Sequence, residues 1–446
     1  MSNLFSNLFL SSLFKTTDNY KLLKVAGFIA NRIAFSKSKT RDGQKPFSRF
    51  IIRLSVVATV ISVAVMVITL SLVNGFQQTI SQKVFSFLGH IRIQEKEQAK
   101  AIISEETPIS KKDTLAAEIR AMPGVKSISP FSNKYAMLKT KEDMEGALLK
   151  GIDKHYDTSH IQPFIKAGRF IQFNDSGYSK EIMLSANTAT KLNLKVNDKV
   201  LVYFLKPGDS LRSKVNKLTI AGIFKTGITE YDDLFAICDL KLVQWSKKEL
   251  STDNFENEIG GYEVFLNDYK SIDKKADEIY NLNDFPDTWD AVSVKNISPN
   301  IFDWLNLMNK NRDLLIGLML IVAIINMITC LIIFVLERTK MTGVLKALGA
   351  KDWTVQKIFL RHALIITLSG IILGLLLALG LLWLQQATGF IRLPEDAYFI
   401  NKAAVKIIWW QVGLICAGTF IVCLLILIIP TWLVKKIQPV KAIQFR

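Results

Sequence analysis

LLIGLMLIVAIINMITCLIIFVL, residues 314–336, runs for 23 residues without a charge. As a helix it would rise about 34 Å, enough to cross a hydrocarbon core of about 30 Å. Its apolar side chains fall on every face, as lipid or buried neighbours on all sides require. Asn326 is its only strongly polar residue, and an amide inside a span serves as an interhelical hydrogen-bonding group. Three more stretches read the same way: 50–76, 363–386 and 408–434. The fold class expected is therefore an α-helical membrane protein. It has four transmembrane helices, with a large α+β extracytoplasmic domain, 77–313, inserted between helices 1 and 2. A soluble enzyme is excluded. So is a disulfide-stapled secreted module, since there are four cysteines in 446 residues, and Cys330, Cys416 and Cys423 lie in spans.

Charge gives the topology. Residues 1–53, 337–362 and 435–446 together hold 20 Lys or Arg against four Asp or Glu, nearly all of the formal charge of +17. Basic residues beside spans mark the cytoplasmic side. Both termini and the 337–362 loop are then expected in the cytoplasm. The domain 77–313 and the short loop 387–407 are expected outside, in a multi-pass membrane protein. The positive charge is juxtamembrane and split into three pieces, which suits membrane lipids and not nucleic acid. Within 1–49, Leu4, Phe5, Leu8, Phe9, Leu13 and Phe14 have helical spacing, and Tyr20–Phe35 repeats the pattern with Lys21, Lys24 and Arg32 on its polar side. This predicts amphipathic helices on the cytoplasmic leaflet.

The large domain alternates strands and helices. HIRIQ, VKSIS, KYAMLKT, GALLKGI, GYEVFLND and AVSVKNI read as strands. Ser110 with Asp113 resembles a capping box opening a helix that ends near Met122. Residues 155–245 read as an inserted piece, with a hairpin of VLVYFL and KLTIAGIF about Pro207-Gly208. Glu230, Asp232 and Asp233 are expected on a solvated turn, and His155 and His160 on a solvated surface.

No G-x-x-x-x-G-K-[ST], H-E-x-x-H, C-x-x-C or G-x-S-x-G occurs. No catalytic residue, metal site or cofactor of this chain is expected. The spans also lack the ionisable residues of a proton relay, so any work must be driven from elsewhere. Val344, Leu345 and Leu348 lie at i, i+1 and i+4 among basic residues, as in a short amphipathic helix that docks in a groove. Gly370, Gly374 and Ala378 form a small-xxx-small row, expected to pack either on span four or across a dimer.

Three blocks carry a family resemblance: FIANRIAF with PFSRFIIRLSVVATVISVAVMVITLSLVNGF (28–35, 46–76), ERTKMTGVLKALGAKDWTVQKIFL (337–360) and IIPTWLVKKIQPVKAIQFR (428–446). With their order along the chain, they resemble the FtsX/MacB-type ABC-transporter permeases, and among these the lipoprotein-releasing LolC/LolE branch. A weaker likeness surrounds GIFKTGITEYD (222–232). The family's loop carries a second Glu where this chain has Met341.

The resemblance implies a MacB-like periplasmic core domain and a cytoplasmic ABC ATPase dimer that binds ATP and Mg. It also implies a second permease chain as homo- or heterodimer, a lipoprotein substrate and, in the LolC case, a periplasmic lipoprotein carrier. It assigns ATPase coupling to Glu337, Arg338, Val344, Leu345, Leu348 and Gly349. A substrate cavity is assigned to Val57, Ile61, Val65, Ile68, Leu72 and Phe76 with Ile316, Leu320, Ile324, Ile328 and Ile332. A carrier loop is assigned to Lys206, Pro207, Gly208 and Leu211. The work implied is mechanical: lipoproteins are extracted from the outer leaflet and released toward the outer membrane. A MacB-like exporter of another substrate and an FtsX-like regulator of a cell-wall hydrolase stay open beside it.

Overall fold

The computed structural model describes residues 47–96, 105–175, 177–204, 215–247 and 257–426. The expected amphipathic helices of 1–46, the loop of Lys206, Pro207, Gly208 and Leu211, and the tail 435–446 lie outside the described residues. The chain divides into two units.

The first helix, α1 (Phe47–Leu88), has 42 residues, about twice what a bilayer requires. It continues past the apolar run because Phe76, Ile80, Val84 and Phe87 repeat on one face, and all four are buried. Gly89 ends it in the left-handed region at φ 72°, its N–H donating to the Phe85 carbonyl at 2.9 Å, an αL cap.

The α+β unit follows: β1 (Ile91–Glu95), β2 (Ile109–Ser110), α2 (Asp113–Ala121), β3 (Val125–Lys139), β4 (Met144–Ile152), β5 (Ile165–Gly168), β6 (Glu181–Ser185), α3 (Ala186–Lys191), β7 (Lys199–Phe204), β8 (Val215–Phe224), α4 (Thr229–Leu234), β9 (Phe235–Asp239), α5 (Leu240–Lys247), β10 (Glu258–Ile259), β11 (Gly261–Leu266), α6 (Ile272–Tyr280), β12 (Trp289–Ser293) and α7 (Val294–Ile297). Ten of these strands form one sheet in the order β12-β1-β11-β3-β4-β9-β6-β8-β5, with β7 joined to β3 and β8.

Several expectations change here. VKSIS and KYAMLKT are one 15-residue strand, because β3 changes neighbours midway. Residues up to Phe131 pair β11, and those from Phe131 onward pair β4. Pro130 sits just before that exchange, where its missing N–H breaks little pairing. Segment 155–245 does not form a layer of its own. It extends the sheet through the parallel β4–β9 pair, and its hairpin strands β7 and β8 pair antiparallel. Ser110 is no cap: it pairs with Glu258 in a small second sheet, and α2 starts at Asp113 with no side-chain cap. AVSVKNI turns helical after Ser293, whose hydroxyl accepts from the Lys295 N–H and starts α7.

The membrane unit is built on α1 up to Phe76, α8 (Pro299–Glu337) from Leu307, α9 (Thr339–Ala347), α10 (Asp352–Thr388) and α12 (Trp409–Ile426), while the one-turn α11 (Glu395–Tyr398), within 391–403, belongs to the α+β unit. Four helices are long and apolar enough to cross a membrane. The third starts at Asp352, eleven residues before the apolar run, because Val355, Ile358 and Phe359 are already buried on its inner face.

Gly370 and Gly374 pack on the first span. A Cβ on Gly370 would lie 2.7 Å from Thr59 Cγ2, and one on Gly374 would lie 2.8 Å from the Val60 carbonyl. Ala378 lies in a core that holds Val63 and Val67 of the first span with Val412 and Ile415 of the fourth. The row is thus covered within the chain, mainly by the first span and, at Ala378, also by the fourth. Asn326 donates to the Ser55 carbonyl at 3.0 Å, fastening the second span to the first.

Candidate functional site

Each unit contributes its own part. In the membrane unit, α9 stands between the second and third spans. Glu337 and Arg338 precede it, and Gly349 follows at φ 88° with open space around its Cα. Leu345 packs inward against the core that contains Phe334 and Phe359. Val344, Leu348 and Trp353 are exposed, Leu348 by 80%. Lys340 and Lys351 are exposed beside them, and Lys357 lies over the Trp353 ring. The three apolar coupling candidates thus separate: Val344 and Leu348 face out, and Leu345 holds the helix down.

The eleven cavity candidates also separate. Val57 and Ile61 are exposed, Phe76 is buried, and the other eight are partly buried. Ile68, Leu72, Ile316 and Leu320 pack on the core of the membrane unit. The exposed row of α8 is Leu314, Leu318, Ile321 and Ile325. Leu314 and Leu318 lie two residues before Ile316 and Leu320, and Ile321 and Ile325 one residue after Leu320 and Ile324, while Asn326 and Met327 contact the first span.

The NGF segment has a packing role. Asn74 donates to Gln411 Oε1 at 2.7 Å. A Cβ on Gly75 would lie 2.2 Å from the Ala404 carbonyl oxygen, and the Lys406 N–H donates to Ser71 O at 3.1 Å. Only glycine lets the segment leading into α12 lie so close to α1.

In the α+β unit, the GIFKTGITEYD segment builds the junction where α1 ends and α8 begins. Asp232 is buried, not solvated. Its carboxylate accepts from Thr226 N at 2.8 Å, Thr226 Oγ1 at 2.9 Å and Gly227 N at 2.8 Å. Three donors compensate its burial. Asp233 meets Asn187 and Lys191, and Glu230 is exposed. Tyr231 is fully buried, stacked on Phe87 at 5.6 Å, with its hydroxyl 3.1 Å from Ser298 Oγ. Burial pushes its phenol up to about 12. One side chain therefore touches the last turn of α1 and the residue before α8.

A buried charge cluster lies next to it. Glu263 accepts from Arg92 at 2.8 Å and from Lys150 at 2.8 Å, and Tyr156 approaches at 3.4 Å. Glu106 adds a second carboxylate 3.6 Å from Arg92. Lys150 also donates to the Phe87 carbonyl, and burial pulls its ammonium down to about 8. Reading the sequence for motifs missed this cluster. Its signal is a charged residue at the centre of three apolar strands, HIRIQ, GALLKGI and GYEVFL, which must find partners if buried.

Among the described residues no group of three or more His, Cys, Asp or Glu is placed to hold a metal. His155 is exposed beside Asp153, whereas His160 stacks on Phe265 at 4.2 Å and is not a plain surface residue.

These features define the class: a four-span membrane protein whose large α+β domain is carried on two long helices. Family models agree. The FtsX-like permease C-terminal model matches 314–439, and the MacB-like periplasmic core domain model matches 54–280, half of the chain. The chain belongs to the FtsX/MacB-type ABC transporter permease family.

It is 22% identical to the lipoprotein-releasing system transmembrane protein LolC of Xylella fastidiosa, over 94% of this chain and 98% of that one. It is also 22% identical to LolE of Haemophilus influenzae, over 93% and 98%. The periplasmic region of MacB from Actinobacillus actinomycetemcomitans covers 47% of this chain and 91% of its own at 14% identity, with a TM-score of 0.32; at that score it carries no argument.

Proposed function

We propose that this chain is a permease subunit that works with a separate cytoplasmic ABC ATPase to extract lipoproteins from the outer leaflet of the inner membrane and release them toward the outer membrane. The observation that carries this reading is the end-to-end likeness to proteins named for lipoprotein release, which spans both units. Both termini and α9 face the cytoplasm in this reading, by the placement of Lys and Arg. The exposed Val344, Leu348 and Trp353 with their lysine rim suit an apolar groove lined with carboxylates on an ATPase. The exposed apolar rows of α1 and α8 would take acyl chains from the side. A second permease chain completes the cavity, and a periplasmic carrier receives the product.

The test is purification of the tagged chain in nanodiscs, followed by mass spectrometry of what stays bound. An ABC ATPase together with triacylated lipoproteins supports the reading, and a second permease chain shows a heterodimer. An ATPase accompanied by a cell-wall hydrolase and no lipoprotein sinks it in favour of a regulatory role.

A further inference from the structure

Residues 391–403, between α10 and α12, form a closed hairpin. Arg392 and Lys402 make an antiparallel bridge. The Leu393 N–H donates to Asn401 O at 3.2 Å, and the Ala403 N–H to Ile391 O at 3.1 Å. At the tip, α11 is closed by Phe399, which sits in the left-handed region at φ 58°. A residue with a side chain keeps that conformation only when its surroundings hold it.

Three groups do so. Lys83 Nζ donates to the Phe399 carbonyl at 2.5 Å. The Trp304 ring meets the Phe399 ring edge-on at 5.9 Å. Lys225 Nζ binds Glu395 Oε2 at 2.6 Å. Gly227 lies against the tip at φ 78°; a Cβ there would be 2.5 Å from Glu395 Oε1 and 2.7 Å from Lys83 Nζ. The 225–227 turn is itself fixed by the three bonds to Asp232. The seat is therefore built from α1, α8 and the 222–232 segment, while the hairpin is continuous with the third and fourth spans. Burial lowers the Lys83 ammonium, opposed by Glu395.

We infer that Lys83, Lys225 and Glu395 form a latch that makes the hairpin ride with the α+β domain and so positions α10 and α12 during the ATP-driven stroke. Lys225 and Glu395 are positioning residues: they touch neither nucleotide nor cargo. Because Lys225–Glu395 is partly exposed, reversing one charge loosens the seat without unfolding the domain.

The experiment uses the full chain with its ATPase in nanodiscs, its four cysteines replaced by alanine. Spin labels are placed at Lys139 and Lys402, both exposed. Wild type is expected to show one narrow distance that is the same without nucleotide and with trapped ATP. Lys225→Glu or Glu395→Lys should broaden it, and the double exchange should narrow it again. Lipoprotein released per ATP should fall about two- to fivefold in the single variants and recover in the double.

A wild-type distance that shifts with nucleotide overturns the latch. So do single variants whose distance stays narrow, or whose release per ATP is unchanged. The release readout rests on the proposed function, and the distance readout does not. Latch-dependent distances with no lipoprotein release by wild type would leave the latch standing and remove the lipoprotein reading.

Discussion

The Lys150 ammonium, on β4, donates a hydrogen bond to the carbonyl of Phe87 in the last turn of α1. A cation at that position complements the helix dipole and satisfies a carbonyl that the helix leaves open. The same ammonium pairs with Glu263, so the end of the first long helix is tied to the buried charges of the sheet. Lys150→Met would keep the volume and remove both bonds, leaving Glu263 with Arg92 and the longer Tyr156 contact. We expect a loss of about 3 kcal/mol in denaturant unfolding of the full chain. A loss under about 1 kcal/mol, the size of an exposed pair, would mean that the tie is not structural.

His90 lies two residues past α1. It is buried, stacked on Phe85 at 4.4 Å, and its Nδ1 accepts from the Leu266 N–H at 3.2 Å. Burial, reinforced by His160 and Lys126, pulls its pKa down to about 4. The unfolded chain takes up this proton near pH 6.5, and the folded chain does so only near 4. Stability is therefore full above 6.5 and falls as pH drops toward 4, by about 3 kcal/mol. Melting temperatures from pH 7 to pH 4.5 should decline in the wild type and decline less in His90→Asn. Parallel curves would show that other groups, His160 among them, set the acid limit.

The third span meets the first through glycine. Gly374→Leu must displace Val60 and Val63, and overpacking of this kind costs about 1–3 kcal/mol. Gly380 is six residues further along the same helix with open space around it, so Gly380→Leu should be neutral. Unfolding in a detergent titration compares the two. Equal effects would mean that the small row is not a contact surface.

What the sequence made legible was whatever a linear pattern encodes. The uncharged run 314–336 reads as a span because lipid forces composition, and the strands β1, β4 and β11 stand out by their apolar flanks. The partner of Gly370 could not be read, because a small row marks close approach without naming the neighbouring helix. Asp232 misled for a similar reason: three acidic or polar residues together resemble a solvated turn, and the donors that bury it come from its own loop at Thr226 and Gly227. Among the coupling candidates, Val344 and Leu348, at i and i+4, are both exposed. The inward packing of Leu345 depends on a core drawn from the second and third spans, which no local pattern contains.

The exposed edge of α9 yields a binding prediction. Leu348→Asp or Val344→Asp places a carboxylate at the centre of an apolar contact and should weaken association with the ATPase about 10- to 100-fold. Leu345→Ala instead removes packing and should lower stability while leaving affinity close to wild type. Titrating purified ATPase onto permease in nanodiscs separates the two. Full affinity in both aspartate variants would move the docking site off this helix.

The proposed acyl-chain cavity makes the most exposed prediction. Its expected wall on the second span, Ile316 to Ile332, is partly covered, and the open apolar row is Leu314, Leu318, Ile321 and Ile325. An aspartate in a span costs about 3 kcal/mol on insertion wherever it points, so loss of release by itself would not identify a cavity. The control is Leu376 on the third span, 61% exposed where Ile321 is 56%, and with no expected role in cargo. Both variants carry the same insertion cost. Ile321→Asp should abolish lipoprotein release with ATPase association unchanged, and Leu376→Asp should keep most of it. Val65→Asp, on a partly covered position of α1, should resemble Ile321→Asp if the two helices share one cavity. Equal loss at Leu376 and Ile321 would reduce the effect to destabilisation, and release preserved in Ile321→Asp would place the acyl chains on another face.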